Sequence, residues 1–121
     1  MEDALTEKII GAAIEVHRIL GPGLLESIYE EALCVELDLR GVRCQRQIDV
    51  DVNYKGRTIK GQRIDLLVAG EVVVELKAVA TLPEVATAQV LSYLKATGLK
   101  RGLLVNFNAP RLVNGIKRIS L

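Results

Sequence analysis

Residues 63–77, RIDLLVAGEVVVELK, alternate between two sets of side chains on either side of a turn signal. Arg63, Asp65 and Leu67 fall on one strand face, and Ile64, Leu66 and Val68 on the other. Beyond Ala69-Gly70-Glu71, Val73, Glu75 and Lys77 share a face against Val72, Val74 and Leu76. A hairpin turning on Gly70 sets Asp65 directly opposite Glu75, with Cβ atoms about 4.5–5.5 Å apart. A slip of one residue would oppose Asp65 with Val74 and mix polar with apolar faces, so the pattern itself selects the register.

Two carboxylates opposed on a sheet repel and cost stability. Lys77 on the same face relieves some of that repulsion, and a divalent cation would relieve more. Oxygen donors without soft ligands favour Mg2+, or Mn2+, over zinc. A cation there would lower the pKa of a bound water and neutralise charge on phosphorus oxygens, which suits phosphodiester hydrolysis. The same residues are also compatible with a plain ion-pair cluster on an exposed sheet face.

Around this hairpin the periodicity predicts the remaining elements. Leu5, Ile9, Ala12, Ala13, Val16 and Leu20 recur at helical spacing over residues 5–19, and Gly21-Pro22-Gly23 ends that helix. A second helix runs to about Arg40 and stops at Gly41. It starts either at a Ser27–Glu30 capping box or nearer Leu24, which would put Glu26 in its first turn. The period then changes to two: Gln47, Asp49, Asp51 and Asn53 alternate with Ile48, Val50, Val52 and Tyr54. Lys55-Gly56 is a turn signal, and residues 58–68 continue as strand. Thr81-Leu-Pro-Glu84 opens a third helix that reaches Thr97, with Gly98 as its stop. GLLVNF at 102–107 and the terminal IKRISL complete the pattern as strands. Helix, helix, three or four strands, helix, strand, strand is α/β or α+β with one mixed central β-sheet.

The chain of 121 residues is long enough for one domain with a single core, and half of its residues are apolar. No apolar run approaches the roughly 18 residues that span a bilayer. The acidic start MEDALTEK is no secretory signal, so a cytoplasmic, reduced setting without membrane partners is expected. Cys34 and Cys44 read as small buried hydrophobes, and with His17 they are too few for a zinc site. The net charge of +1 says little about partners. Basic residues nevertheless group at 40–63 and 95–118, where they could meet a phosphate backbone locally or remain a solvated surface. Few aromatics are available for base stacking.

Asp65, Glu75-Leu-Lys77 in a hydrophobic strand resembles the metal motif of the PD-(D/E)XK nuclease superfamily. Gln89 and Tyr93, an i, i+4 pair on the following helix, are similar to the QxxxY motif of its RecB-like branches. Gly23-Leu-Leu-Glu26-Ser-Ile-Tyr29 resembles the motif of the small bacterial GxxExxY protein family within that superfamily, and the likeness runs over residues 5–119. One departure is Ile64, where the superfamily's name has proline.

The resemblance implies a restriction-endonuclease-like core, with magnesium held by Asp65 and Glu75 and approached by Glu26, directly or through water. Lys77 would be the catalytic lysine, with Gln89 and Tyr93 lining the cleft. Tyr29 and Arg63 are further candidates for substrate contact. Read from the residues alone, Tyr29 is equally a core residue with its hydroxyl at the surface, and Arg63 a partner for a sheet carboxylate. Glu26 by itself would simply favour a helix N-terminus. The function expected is a Mg2+-dependent (or Mn2+-dependent) nuclease acting on DNA before RNA. A non-catalytic nucleic-acid-binding or assembly module that keeps the fold, with a homodimer to strengthen its grip, is the alternative.

Overall fold

The structure, a computed structural model, describes residues 3–121. Helix α1 (Ala4–Leu20) starts at Asp3, whose carboxylate accepts the Thr6 backbone N–H, and helix α2 (Glu26–Leu39) follows the Gly21-Pro22-Gly23 turn. Strands β1 (Cys44–Tyr54), β2 (Arg57–Val68) and β3 (Val72–Lys77) form a meander. Helix α3 (Val85–Thr97) then crosses to β4 (Arg101–Asn106), and a 3-10 turn at Leu112–Gly115 leads to β5 (Ile116–Ser120). The sheet order is β1-β2-β3-β4-β5, antiparallel except for the parallel β3–β4 pair that α3 connects. This is the mixed central sheet expected, flanked by helices, in an α+β arrangement.

Two apolar clusters sandwich the sheet. Ile9, Ala12, Val16, Leu33 and Leu37 of α1 and α2 pack on Leu66, Val68, Val74 and Leu76. On the opposite face Ala86, Val90 and Leu94 of α3 pack on Val73, Leu104 and Ile119. Gly102 lets α3 approach closely, for a Cβ there would lie 2.6 Å from Val90 Cγ1.

The hairpin registers follow the turn chemistry. Tyr54 pairs with Arg57 across Lys55-Gly56, both at positive φ, the two-residue turn that matches strand twist. Val68–Val72, Leu67–Val73 and Leu66–Val74 are the paired residues of β2 and β3, the register symmetric about Gly70.

Helix starts differ from expectation in two places. The Ser27–Glu30 capping box is not formed among the described residues: α2 begins at Glu26 behind Leu25, and Glu30 turns inward to the sheet. Helix α3 begins at Val85 rather than at a Thr81 cap, with tight turns closed by Ala86 N–H to Pro83 O and Thr87 N–H to Glu84 O.

Candidate active site

The site forms where the long β1–β2 hairpin turns over. Leu66 and Val68 pack beneath α1 and α2, whereas Ile64, in phase with them, packs against the α3 cluster. In β1, Cys44 leans on the first cluster while Ile48 and Val50 join the second. The crossover lies between, at Gln47 and Asp65. Gln47 has φ 54°, a left-handed value uncommon outside glycine, and the paired residues step from Arg46–Leu66 to Ile48–Ile64 around it.

Asp65 is therefore free of a regular ladder on both sides. Its Oδ2 accepts the Leu76 backbone N–H at 2.9 Å, replacing the carbonyl a continuing ladder would offer. Glu75 lies next along β3, buried, with Oε1 lacking a hydrogen-bond partner among the described residues. Lys77 Nζ stands 3.8 Å from Glu75 Oε2. Burial, then the neighbouring Asp65 charge, pushes the Glu75 carboxyl up to about 8. Burial raises Asp65 as well, against the Leu76 N–H that favours its anion. Two acids held in one dry spot share too little solvent to ionise easily together.

From the far side α3 brings Tyr93 and Gln89. Tyr93 is buried, and burial followed by the Glu75 and Asp65 charges lifts its phenol to about 12, while its hydrogen bond to Gln89 acts the other way. From α2 come Glu26 and Glu30, one helical turn apart. With Ser27, Gln47, Asp65 and Leu76 they line a cleft of about 170 Å3. A larger cavity of about 480 Å3 lies elsewhere, between the distal hairpin and α3, lined by Asp51, Asn53, Ser92 and Lys95 among others.

The sequence reading missed Glu30 and Gln47. Glu30 is buried and accepts Arg46 Nη2 at 2.9 Å and Gln47 Nε2 at 2.6 Å, so the second acid of α2 is fixed beside Asp65 rather than free. Its i+4 relation to Glu26 was visible in the sequence. The position of Gln47 opposite Asp65 follows from a hairpin closing on Lys55-Gly56 with one bulge between Val50 and Val52. Among the described residues no three His, Cys, Asp or Glu side chains converge as a ready metal cage. Glu26 is exposed and lines the mouth of the cleft that Asp65 also lines.

Two residues expected to touch substrate sit elsewhere. Tyr29 is fully buried, stacked on Phe107 with centroids 4.5 Å apart. Its hydroxyl donates to Gly21 O at 2.6 Å and accepts Leu24 N–H at 3.0 Å, pinning the Gly-Pro-Gly turn from below. Arg63 lies on the exposed hairpin, paired with Asp49 at 3.2 Å. His17 is a satisfied, part-buried histidine, its Nε2 2.8 Å from Ala109 O. Cys34 and Cys44 are free and half-buried, and burial holds the Cys44 thiol far above its usual range.

The family model of the PD-(D/E)XK nuclease superfamily matches residues 3–119. The chain belongs to the PD-(D/E)XK nuclease superfamily. No curated protein and no solved structure matches it. The mixed sheet between helices is thus a restriction-endonuclease-like core, a nuclease-type fold. Nucleases of this superfamily generally depend on a divalent metal, and membership points to a nucleic-acid substrate. Among the described residues no helix is long and apolar enough to cross a membrane.

Proposed function

We propose that this PD-(D/E)XK protein is a Mg2+-dependent nuclease, with Mn2+ as substitute, that hydrolyses phosphodiester bonds in DNA and less readily in RNA. The observation that carries the reading is the buried Glu75 carboxylate beside Asp65, with one oxygen unpaired and Lys77 within reach. An acid kept anionic in that setting needs a cation, and the donors are all oxygens, which fits magnesium better than zinc.

Asp65 and Glu75 would hold the metal, with Glu26 at the cleft mouth as a further acid acting directly or through water. When bound, the metal supplies a water of lowered pKa and offsets charge on the phosphorus oxygens. The protein's own groups do the rest. The Leu76 N–H fixes the Asp65 carboxylate in one orientation. Lys77 stands where its ammonium can hold an attacking water or a phosphate oxygen. Tyr93 and Gln89 wall the α3 side and exclude bulk water from the acid pair. Glu30, paired with Arg46, holds the Gln47 amide at the cleft, and its charge also disfavours the Asp65 anion until a cation binds.

The test is cleavage of mixed DNA and RNA substrates by purified protein with and without Mg2+. Cleavage should need the metal and vanish in Asp65→Asn and Lys77→Ala. Salt-dependent binding without cleavage would instead assign a nucleic-acid-binding module, and substitution-insensitive cleavage would sink the residue roles.

A further inference from the structure

Helix α2 hides Tyr29, Leu33 and Leu37 in the core, yet its outer face is also apolar. Leu25, Ile28, Ala32, Val35 and Leu39 follow one another at steps of three, four, three and four residues, with Ala32 half-buried against the core. That is the heptad spacing of a helix–helix seam, and it runs about 21 Å along the helix. The large residues of this stripe stand open to solvent: Leu25 is 74% exposed, Ile28 45%, Val35 53% and Leu39 76%. Single exposed apolar residues need no explanation, but one at nearly every turn on a single face does. Helix α3 has no comparable stripe: among its described residues Val85 alone is a large exposed apolar side chain.

Charge decides what fits there. Glu31 and Asp38 flank the stripe on one side and Glu36 on the other, with Arg40 engaged by Glu36 at 2.7 Å. Beside Val35 a groove of about 300 Å3 continues between α2 and β1, lined by Glu31, Cys34, Asp38, Cys44 and Arg46. Arg46 is already committed to Glu30. A second copy laying its own α2 on this face would set acidic flank against acidic flank, which is unfavourable.

We propose that the outer face of α2 docks an amphipathic helix of a partner protein, whose apolar stripe is bordered by lysine and arginine. The partner's heptad residues fill the spaces between Ile28, Val35 and Leu39, and its basic border meets Glu31 and Asp38, since Glu36 is already held by Arg40. The site lies on the side of α2 turned away from the core residues Leu33 and Leu37, so docking leaves the acid cleft open.

The test uses the full chain and labelled synthetic peptides of about three heptads. One carries leucine at the seam positions with Lys/Arg borders, one has the same seam with Glu borders, and one is a scramble of the first. Fluorescence anisotropy should show the basic-bordered peptide binding at least roughly tenfold tighter than the other two. Val35→Ser with Leu39→Ser should weaken it by a similar factor, and Glu31→Lys with Asp38→Lys should invert the preference. These side chains are exposed, so circular dichroism should be unchanged. Equal binding of all peptides, or none, overturns the proposal. So does a dimer in sedimentation that Val35→Ser with Leu39→Ser dissolves, for the face then belongs to a second copy. Neither metal nor nucleic acid enters the assay, so its failure would leave the nuclease reading untouched.

Discussion

Replacing Glu75 by glutamine should make the metal-free protein more stable, and only at high pH. The residue is 4% exposed, and burial with the Asp65 charge raises its carboxyl from an ordinary 4.5 to about 8. A carboxyl raised on folding binds its proton more tightly in the folded chain. Stability is thus fullest below about 4.5 and falls as pH climbs toward about 8, because the folded state must then hold the anion. At about 1.4 kcal/mol per pH unit, the interval between those values sets a ceiling of roughly 5 kcal/mol. An amide left imperfectly paired returns about 1–2 kcal/mol of that, so a net gain of about 3 kcal/mol is expected near pH 8.5. For a chain of this size that raises the melting temperature by about 12 °C. Near pH 5 the folded wild type carries a protonated Glu75 of nearly the same shape, so the amide's pairing cost is hardly offset and Glu75→Gln should melt level with the wild type or a few degrees below it. Calorimetric melts in chelator at both pH values measure this. Added Mg2+ should lift the wild type near pH 8.5 and leave Glu75→Gln where it was. Equal stabilisation at both pH values, or none near pH 8.5, would refute the reasoning.

Three further outcomes are expected. Tyr29→Phe removes the hydroxyl that bonds Gly21 O and Leu24 N–H and should cost about 1–2 kcal/mol in urea unfolding, with nucleic-acid affinity unchanged. A drop in affinity at full stability would return Tyr29 to the substrate surface. Gly102→Ala pushes a methyl to 2.6 Å from Val90 Cγ1 and should lose about 1–3 kcal/mol by overpacking the α3 interface; a neutral result would mean that α3 shifts freely. Glu30→Gln keeps the volume but weakens the hold on Arg46 and Gln47, and should cost about 1–2 kcal/mol in the same unfolding assay. Unaltered unfolding would show that this buried pair contributes nothing net.

The β2–β3 register was legible because Leu66, Val68, Val72 and Val74 share one face beside the turn, and Gly70 gave the turn its centre. Helix α1 and the parallel strand β4 were legible for similar reasons, a clear period in one and a continuous apolar run in the other. Tyr29 was not. Its spacing from Glu26 is the same whether its hydroxyl meets a substrate or the carbonyl of Gly21, and the deciding contact is with Phe107, far away in the chain. The capping box failed because Glu30 had a better partner: Arg46 and Gln47 arrive from β1, and tertiary charge outweighed a local cap. Strand alternation foretold a hairpin with uniform faces, whereas β1 and β2 turn over at Gln47 and Asp65, a twist that no period-two pattern encodes.

That turnover explains why the acids can sit together at all, and it governs how they should be probed. A regular sheet would spend the backbone of this row on ladder bonds and leave two opposed carboxylates to repel. Here the Asp65 side chain takes over one of those bonds, accepting the Leu76 N–H at 2.9 Å. The residue is thus both a proposed metal ligand and a piece of the sheet. Asp65→Ala removes both roles, and orphaning the Leu76 N–H should cost about 1–3 kcal/mol, so lost cleavage in that variant would say little about chemistry. Asp65→Asn retains an oxygen for Leu76 and removes only the charge. Its unfolding midpoint in chelator near pH 8.5 should match or exceed that of the wild type, since the Glu75 anion then loses its repelling neighbour. Cleavage and Mg2+-dependent stabilisation should both disappear. If Asp65→Asn instead unfolds as readily as Asp65→Ala, the carboxylate charge is holding the sheet together, and the acid pair is better read as an ion cluster with Lys77.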